Sequence, residues 1–140
     1  MATSRLVSEV MTREVITLLE EDNLQEVMAG LRRYRFHHLP VIDGDKLVGM
    51  LSQRDMLQAT VATFDQSPAA LAQQARFLEQ TFVRDVMTTE VVTADPGDTV
   101  QAAASTMLRR RVGALPVIDS DGKLVGIITE NDVVRTVAEG

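Results

Sequence analysis

Short apolar runs alternate with polar, turn-forming clusters along this chain, and the alternation predicts its elements. Val15-Ile16-Thr17 and Val91-Val92-Thr93 are β-branched runs that predict strands. After the first, Leu24, Val27, Met28 and Leu31 fall at i, i+3, i+4 and i+7, which predicts a helix over about 24–33, with a counterpart over about 100–109. Asp22 stands three residues before Gln25, and Asp98 three before Gln101, so a side-chain acceptor is expected to cap both helix starts. Next come the apolar runs 39–42 and 47–51, joined by Asp43-Gly44-Asp45; the second half joins its runs with Asp119-Ser120-Asp121-Gly122. Both read as β-hairpins. Their strands are almost continuously apolar, which predicts a sheet covered on both faces. A last helix is expected to begin near Asp55 and near Asp132. The order is strand, helix, strand, strand, helix, twice.

The two halves are copies. Met11-Thr12-Arg13-Glu14-Val15-Ile16-Thr17 is answered by Met87-Thr88-Thr89-Glu90-Val91-Val92-Thr93, and Leu39-Pro40-Val41-Ile42-Asp43 by Leu115-Pro116-Val117-Ile118-Asp119, both at a shift of 76 positions. One residue is then inserted in the hairpin turn, so Lys46-Leu47-Val48-Gly49 matches Lys123-Leu124-Val125-Gly126, and Ser52-Gln53-Arg54-Asp55 matches Thr129-Glu130-Asn131-Asp132. The expected division is a first repeat over 1–60, a helical linker over 61–80 and a second repeat over 81–140. A unit of about 60 residues buries only about 60% of its unfolded-chain surface, so the copies are expected to pack together. The linker region has no counterpart in either copy. Ser67-Pro68 predicts a cap and first helical residue, followed by Leu71, Ala75, Leu78 and Phe82 at helical spacing. That stripe either lies on its own domain or contacts a second copy or a client protein. Phe64 and Phe77 belong to the same region and do not separate the two readings.

Composition narrows the function classes. With 140 residues, the expectation is one compact domain or two small units sharing a core, and not a multidomain enzyme. The absence of cysteine removes disulfides, thiol nucleophiles and thiolate metal sites. A net charge of −6 opposes general nucleic-acid binding, which relies on surplus Lys and Arg. No apolar run is long enough to span a bilayer, and the first residues lack the apolar stretch of a secretory signal, so the expectation is a cytoplasmic protein without membrane contact.

Three groups of residues carry candidate chemistry. Ser52 and Thr129 are expected at a strand end just before a helix, where outward-facing amides favour an anion. Asp55 and Asp132, three residues on, either accept the vicinal hydroxyls of a ribose or close a capping box on their own helix. His37-His38 precede Leu39-Pro40 where the second copy has Gly113-Ala114. Neighbours on a strand face opposite ways, so the two imidazoles do not chelate one metal, and no metal site is expected. Read on its own, His38 is a surface or satisfied core histidine. Arg32, Arg33 and Arg35, and again Arg109, Arg110 and Arg111, follow predicted helix ends, where cations offset the carbonyl dipole; one per repeat is also a candidate phosphate contact. Neither a nucleophile–base constellation nor a Gly-rich phosphate loop is present, so no catalysis is expected.

The ordered set of Met-Thr opening, helix, Leu-Pro-Val-Ile-Asp, Lys-Leu-Val-Gly and closing Ser/Thr-x-x-Asp, met twice in one register, resembles a tandem pair of cystathionine β-synthase (CBS) domains. The resemblance implies an α+β fold of two β-α-β-β-α repeats, packed through their sheets about a pseudo-twofold axis with two clefts between them. It implies a regulatory module for adenosine-containing ligands, namely AMP, ADP, ATP or S-adenosylmethionine, that requires no cofactor. Residues implied to line the clefts are Thr17, His38, Pro40, Met50, Ser52 and Asp55 in the first copy, and Thr93, Ala114, Pro116, Ile127, Thr129 and Asp132 in the second, with His38 implied as a donor to ligand phosphates. A homodimer is implied, signalling in trans to an unknown client. The alternative is a ligand-free interaction or dimerisation module of the same fold.

Overall fold

A computed structural model describes residues 4–34, 37–59 and 67–140. Along the chain run α1 (Val7–Val10), β1 (Leu18–Leu19), α2 (Leu24–Tyr34), β2 (His38–Asp43), β3 (Lys46–Ser52) and α3 (Gln53–Ala59). After these come α4 (Pro68–Gln80), α5 (Val83–Val86), α6 (Val100–Arg110), β4 (Ala114–Ile118), β5 (Leu124–Thr129) and α7 (Glu130–Glu139). The fold is α+β and falls into two compact units. A first-repeat unit comprises Thr17–Asp43 and Val48–Glu90, and a second-repeat unit comprises Met1–Ile16, Gly44–Leu47 and Val91–Gly140.

The unit boundaries cut across the repeats in sequence: each repeat lends its opening segment to the unit that holds the other repeat's hairpin. In the second-repeat unit, Thr12 bridges Ile127 through main-chain bonds of 2.8 and 2.9 Å, and Val7 and Met11 join a core with Ala94, Ala103, Met107, Leu115, Val117 and Ile128. In the first-repeat unit, Thr88 bridges Met50 through two bonds of 2.9 Å, and Val83 joins Leu24, Val27, Leu39, Val41, Leu51 and Met56. These contacts require glycine on the receiving strand. A Cβ at Gly126 would stand 2.6 Å from Met11 Sδ and 2.9 Å from the Thr12 carbonyl oxygen; at Gly49 it would stand 2.5 Å from Met87 Sδ and 3.1 Å from the Thr88 carbonyl oxygen.

Both hairpins form where the apolar runs predict them, with Gly44 and Gly122 supplying positive φ in the turns. In β4 and β5, Leu115, Val117 and Ile128 face the core just described, while Ala114, Pro116 and Ile127 are buried on the opposite face, so the sheet is covered on both sides. The tip of the first hairpin belongs to the second-repeat unit, where Lys46 bridges Lys123, the Lys46 ammonium donates to the Asp121 carbonyl, and Asp45 pairs with Lys123 at 3.6 Å.

Several local expectations shift by a residue or more. Strand pairing does not fall on 15–17 and 91–93 but just after them. Leu18 pairs in parallel with Val41, and Ala94 pairs in parallel with Val117 in the same register one repeat later. The caps also move by one: Asn23 accepts from the Glu26 amide at 2.9 Å and Thr99 from the Ala102 amide at 3.0 Å. Asp22 and Asp98 instead accept from the Leu19 and Asp95 amides, closing the turns ahead of those helices. The last helix of each copy starts two residues before the aspartate, at Gln53 and at Glu130.

The linker helix α4 is capped by Ser67, which accepts from Ala70 at 3.2 Å, with Pro68 in its first turn. Of its expected stripe, Leu78 packs against the first-repeat core and Phe82 is half-buried, while Leu71 and Ala75 are exposed. Phe64 and Arg35 lie outside the described residues.

Candidate functional site

In the first-repeat unit, β3 ends at Ser52 and α3 begins at the next residue, so the strand delivers its last side chain to the helix start. The Ser52 amide donates to Asp55 Oδ2 at 2.9 Å, and the Asp55 amide donates to Ser52 Oγ at 3.1 Å, which is a reciprocal capping box. One carboxylate oxygen is therefore committed to the helix. Thr88 Oγ1 approaches both Asp55 oxygens at 3.4 Å, at the long edge of hydrogen bonding. The Gln53 amide donates to the His37 carbonyl at 2.9 Å, tying the helix start to the head of β2, and His37 Nδ1 lies 3.0 Å from Gln53 Oε1. His38 and Ser52 are half-buried, as is Asp55, whereas Pro40 and Met50 are buried.

The second-repeat unit repeats this construction at Thr129 and Asp132. The Thr129 amide donates to Asp132 Oδ2 at 2.9 Å, and the Asp132 amide donates to Thr129 Oγ1 at 3.3 Å. Thr129 Oγ1 also lies 3.1 Å from Asp132 Oδ2. Here the carboxylate is much more enclosed, Asp132 being only 3% exposed, and its Oδ1 pairs with Arg135 Nη1 at 3.4 Å. The Glu130 amide donates to the Gly113 carbonyl at 3.1 Å, the counterpart of the Gln53–His37 bond. Register sets Ala114 opposite Thr129 and Pro116 opposite Ile127, so these four expected residues share one face of the hairpin.

The expected Ser/Thr–Asp pairs thus lie together in each unit, with the capping reading realised and Oδ1 of each aspartate left outside the box. Thr17 and Thr93 are half-buried and stand just before Leu18 and Ala94. Those residues pair with Val41 and Val117, so Thr17 and Thr93 approach from the edge of β2 and β4 opposite to β3 and β5. The arginine clusters go to helix ends: Arg109 and Arg110 lie in the last turn of α6, exposed, and Arg111 is its C-cap in the left-handed conformation at φ 56°. Arg32 and Arg33 lie in the last turn of α2. Sequence reasoning did not single out Thr88 as a neighbour of Asp55. The only trace was the recurrence of the Met-Thr opening, and nothing in that recurrence reveals that the segment pairs with the other repeat's hairpin.

Comparison with known proteins bears on these junctions. The family described as CBS domain matches residues 7–62 and 83–139. The chain is 30% identical over 154 aligned positions to protein MJ1426 of Methanocaldococcus jannaschii, covering 94% of this chain and 90% of that one. Several other curated relatives are longer, and the chain spans between 22% and 48% of their length. Among solved structures, the CBS domain pair of protein MJ0100 in complex with 5′-methylthioadenosine and S-adenosyl-L-methionine matches with a TM-score of 0.77 at 26% identity, covering 96% of this chain and 97% of that one. CBSX2 of Arabidopsis thaliana in complex with AMP matches with a TM-score of 0.79 at 27% identity and the same two coverages.

Proposed function

The chain belongs to the CBS domain family and carries the domain twice, and from that premise we propose that it is a regulatory module binding adenosine-containing ligands beside Ser52–Asp55 and Thr129–Asp132. The observation that carries the reading is the repeated junction itself. In both units a strand-end hydroxyl meets a carboxylate that caps its helix through Oδ2 and keeps Oδ1 outside the box, 3.4 Å from Thr88 Oγ1 in the first unit and 3.4 Å from Arg135 Nη1 in the second. At Asp55 a ribose hydroxyl that donates to Oδ1 replaces the long Thr88 contact with a shorter one, and at Asp132 it shares Oδ1 with the Arg135 guanidinium. The sequence expectation of a two-oxygen acceptor narrows accordingly to one oxygen per junction. Two of the structures similar to this chain are complexes, one with AMP and one with 5′-methylthioadenosine and S-adenosyl-L-methionine, which supports the ligand class.

In this reading the protein does no chemistry on the ligand. Binding shifts the population of conformers, and a partner engaged in trans reads the shift, with the chain acting as a homodimer. The test is a thermal-shift and calorimetric titration with AMP, ATP, 5′-methylthioadenosine and S-adenosylmethionine. At about 100 times the dissociation constant, the stabilisation expected is about 2.7 kcal/mol, or about 5–10 °C in the melting midpoint for a chain of this size. Asp55→Asn and Asp132→Asn are the informative variants, because an amide oxygen still accepts the capping bond while the charge and the second carboxylate oxygen are lost. Each is expected to reduce the shift; retention of the full shift in both variants removes Asp55 and Asp132 from the site.

A second reading has its own observation. Helix α4 has no buried residue, and Leu71 and Phe77 on it are 47% and 39% exposed. Absence of any shift with all four ligands favours an interaction module that docks through this helix. Ligand turnover above a no-protein control argues for an enzyme instead.

A further inference from the structure

The most exposed large apolar side chains among the described residues are Leu108, Val134 and Val137, at 81%, 64% and 59% exposure, and all stand on α6 and α7 of the second-repeat unit. Topology brings them together. Ala94 pairs in parallel with Val117, so α6 runs against the direction of β4, while α7 runs back along β5, and the two helices are antiparallel. Both lie on one face of the hairpin, since Ala103, Met107 and Val133 share a core with Leu115, Val117 and Ile128. The end of α6 meets the start of α7 where the Glu130 amide donates to the Gly113 carbonyl at 3.1 Å, so Leu108 in the last turn of α6 stands level with the first half of α7. Leu108 follows the buried Met107, and Val137 follows the buried Thr136, each about 100° further round its helix. With a right-handed crossover from Ala94 to β4, that rotation turns both side chains toward the outer groove between α6 and α7, and Val134 stands on its rim. The matching positions of the first repeat are Arg32, Leu57 and Thr60, so the continuous apolar patch is particular to the second repeat.

We propose that this face joins two copies of the chain, with α6 and α7 of one second repeat lying on α6 and α7 of the other about a two-fold axis normal to the face. The charge on the face selects a second copy as the occupant. At the end where α6 finishes, Arg109, Arg110 and Arg111 are exposed, Arg135 is paired with Asp132, and Glu130 is the one exposed carboxylate of α7's first turn. At the opposite end, Asp95 and Asp98 lead into α6 and Glu139 closes α7, all exposed, while the neighbouring Arg5 is paired with Glu9 at 3.7 Å. The face is therefore basic at one end and acidic at the other, with its apolar patch between them. A two-fold axis sets each basic end over the partner's acidic end and brings the apolar patches together, whereas a parallel pairing opposes like charges at both ends. This assignment deepens the homodimer of the reading above and does not depend on its ligand.

The experiment is sedimentation equilibrium of the unliganded full chain, with thermal melting as the folding control. The wild type is expected to be a dimer. Leu108→Arg is expected to raise the dimer dissociation constant by about tenfold or more, and to leave the melting of the monomer unchanged because the side chain it replaces is 81% exposed. Leu71→Arg, at an exposed apolar position on α4, is expected to leave the dimer intact. Arg109→Glu and Glu139→Arg are each expected to weaken the dimer, and together to restore it, because the two positions stand at opposite ends of the face. A wild type that sediments as a monomer overturns the face and the homodimer together. A dimer that survives Leu108→Arg, or that dissociates with Leu71→Arg, overturns the face and leaves the homodimer standing. Absence of recovery in the charge exchange overturns the two-fold pairing. The adenosine reading stands or falls separately, on the ligand titration.

Discussion

Three residues show how differently a backbone position responds to the same small change. At Gly126 and Gly49 a methyl group collides with a methionine thioether and a carbonyl oxygen of the incoming segment. Gly126→Ala and Gly49→Ala are each expected to destabilise by about 1–3 kcal/mol, the usual range for overpacking. Gly30 sits inside α2 with nothing within 4 Å of an added Cβ. Gly30→Ala is therefore expected to stabilise by about 0.5–1 kcal/mol through helix propensity alone. Arg111 holds φ 56° at the end of α6, a conformation that costs a side-chain-bearing residue about 1 kcal/mol. Arg111→Gly is expected to gain up to about that much. Urea denaturation of the four variants checks all of these, and the opposite signs for Gly30 and Gly126 are the discriminating result.

At the scale of elements, the repeated junction is a helix start whose cap is also the candidate ligand acceptor. The Asp132 carboxylate is enclosed, caps α7 with one oxygen and receives Arg135 on the other. Replacing it with alanine removes the acceptor for the Thr129 amide and is expected to cost about 1–2 kcal/mol, the upper part of the range for a lost cap. Asp132→Asn is expected to recover most of that loss in denaturant unfolding. Should asparagine destabilise as much as alanine, the charge and its Arg135 pair outweigh the capping bond. The caps of α2 and α6 teach a related lesson about legibility. Asp22 and Asn23 are adjacent good caps, as are Asp98 and Thr99, and the pattern alone did not choose between them. The choice follows from the preceding turns, which take Asp22 and Asp98 for the Leu19 and Asp95 amides.

Across the whole molecule, each compact unit is completed by the other repeat's opening. Val7 is fully buried among β4, β5 and α6 residues, and Val83 is fully buried among residues of α2, β2 and β3. Val7→Ala is expected to cost about 2 kcal/mol and to lower amide-exchange protection in β4 and β5 before it does so in β2 and β3. Val83→Ala is expected to do the reverse. If protection falls first in the hairpin of the mutated residue's own repeat, the exchange of openings is wrong. The exchange also leaves neither hairpin with a free outer edge at Ile127 and Met50, since Thr12 and Thr88 take those main-chain bonds.

The amino-acid pattern by itself determined the duplication, the two hairpins, the helices α2, α4 and α6, and the Ser/Thr–Asp pairs, because these rest on periodicity and on contacts three or four residues apart. It also carried the resemblance to the family, since an ordered set of motifs met twice in one register needs no coordinates. Tertiary structure alone decided which repeat Val7–Thr12 and Val83–Thr88 complete, that Thr88 stands beside Asp55, and that Asp132 is enclosed with Arg135 while Asp55 is half-buried. Those facts depend on long-range main-chain pairing. The two openings, Met11-Thr12 and Met87-Thr88, are identical in sequence, so no local preference tells either one whose hairpin it will join; the choice is made by the burial of Val7 and Val83 in cores built by distant residues.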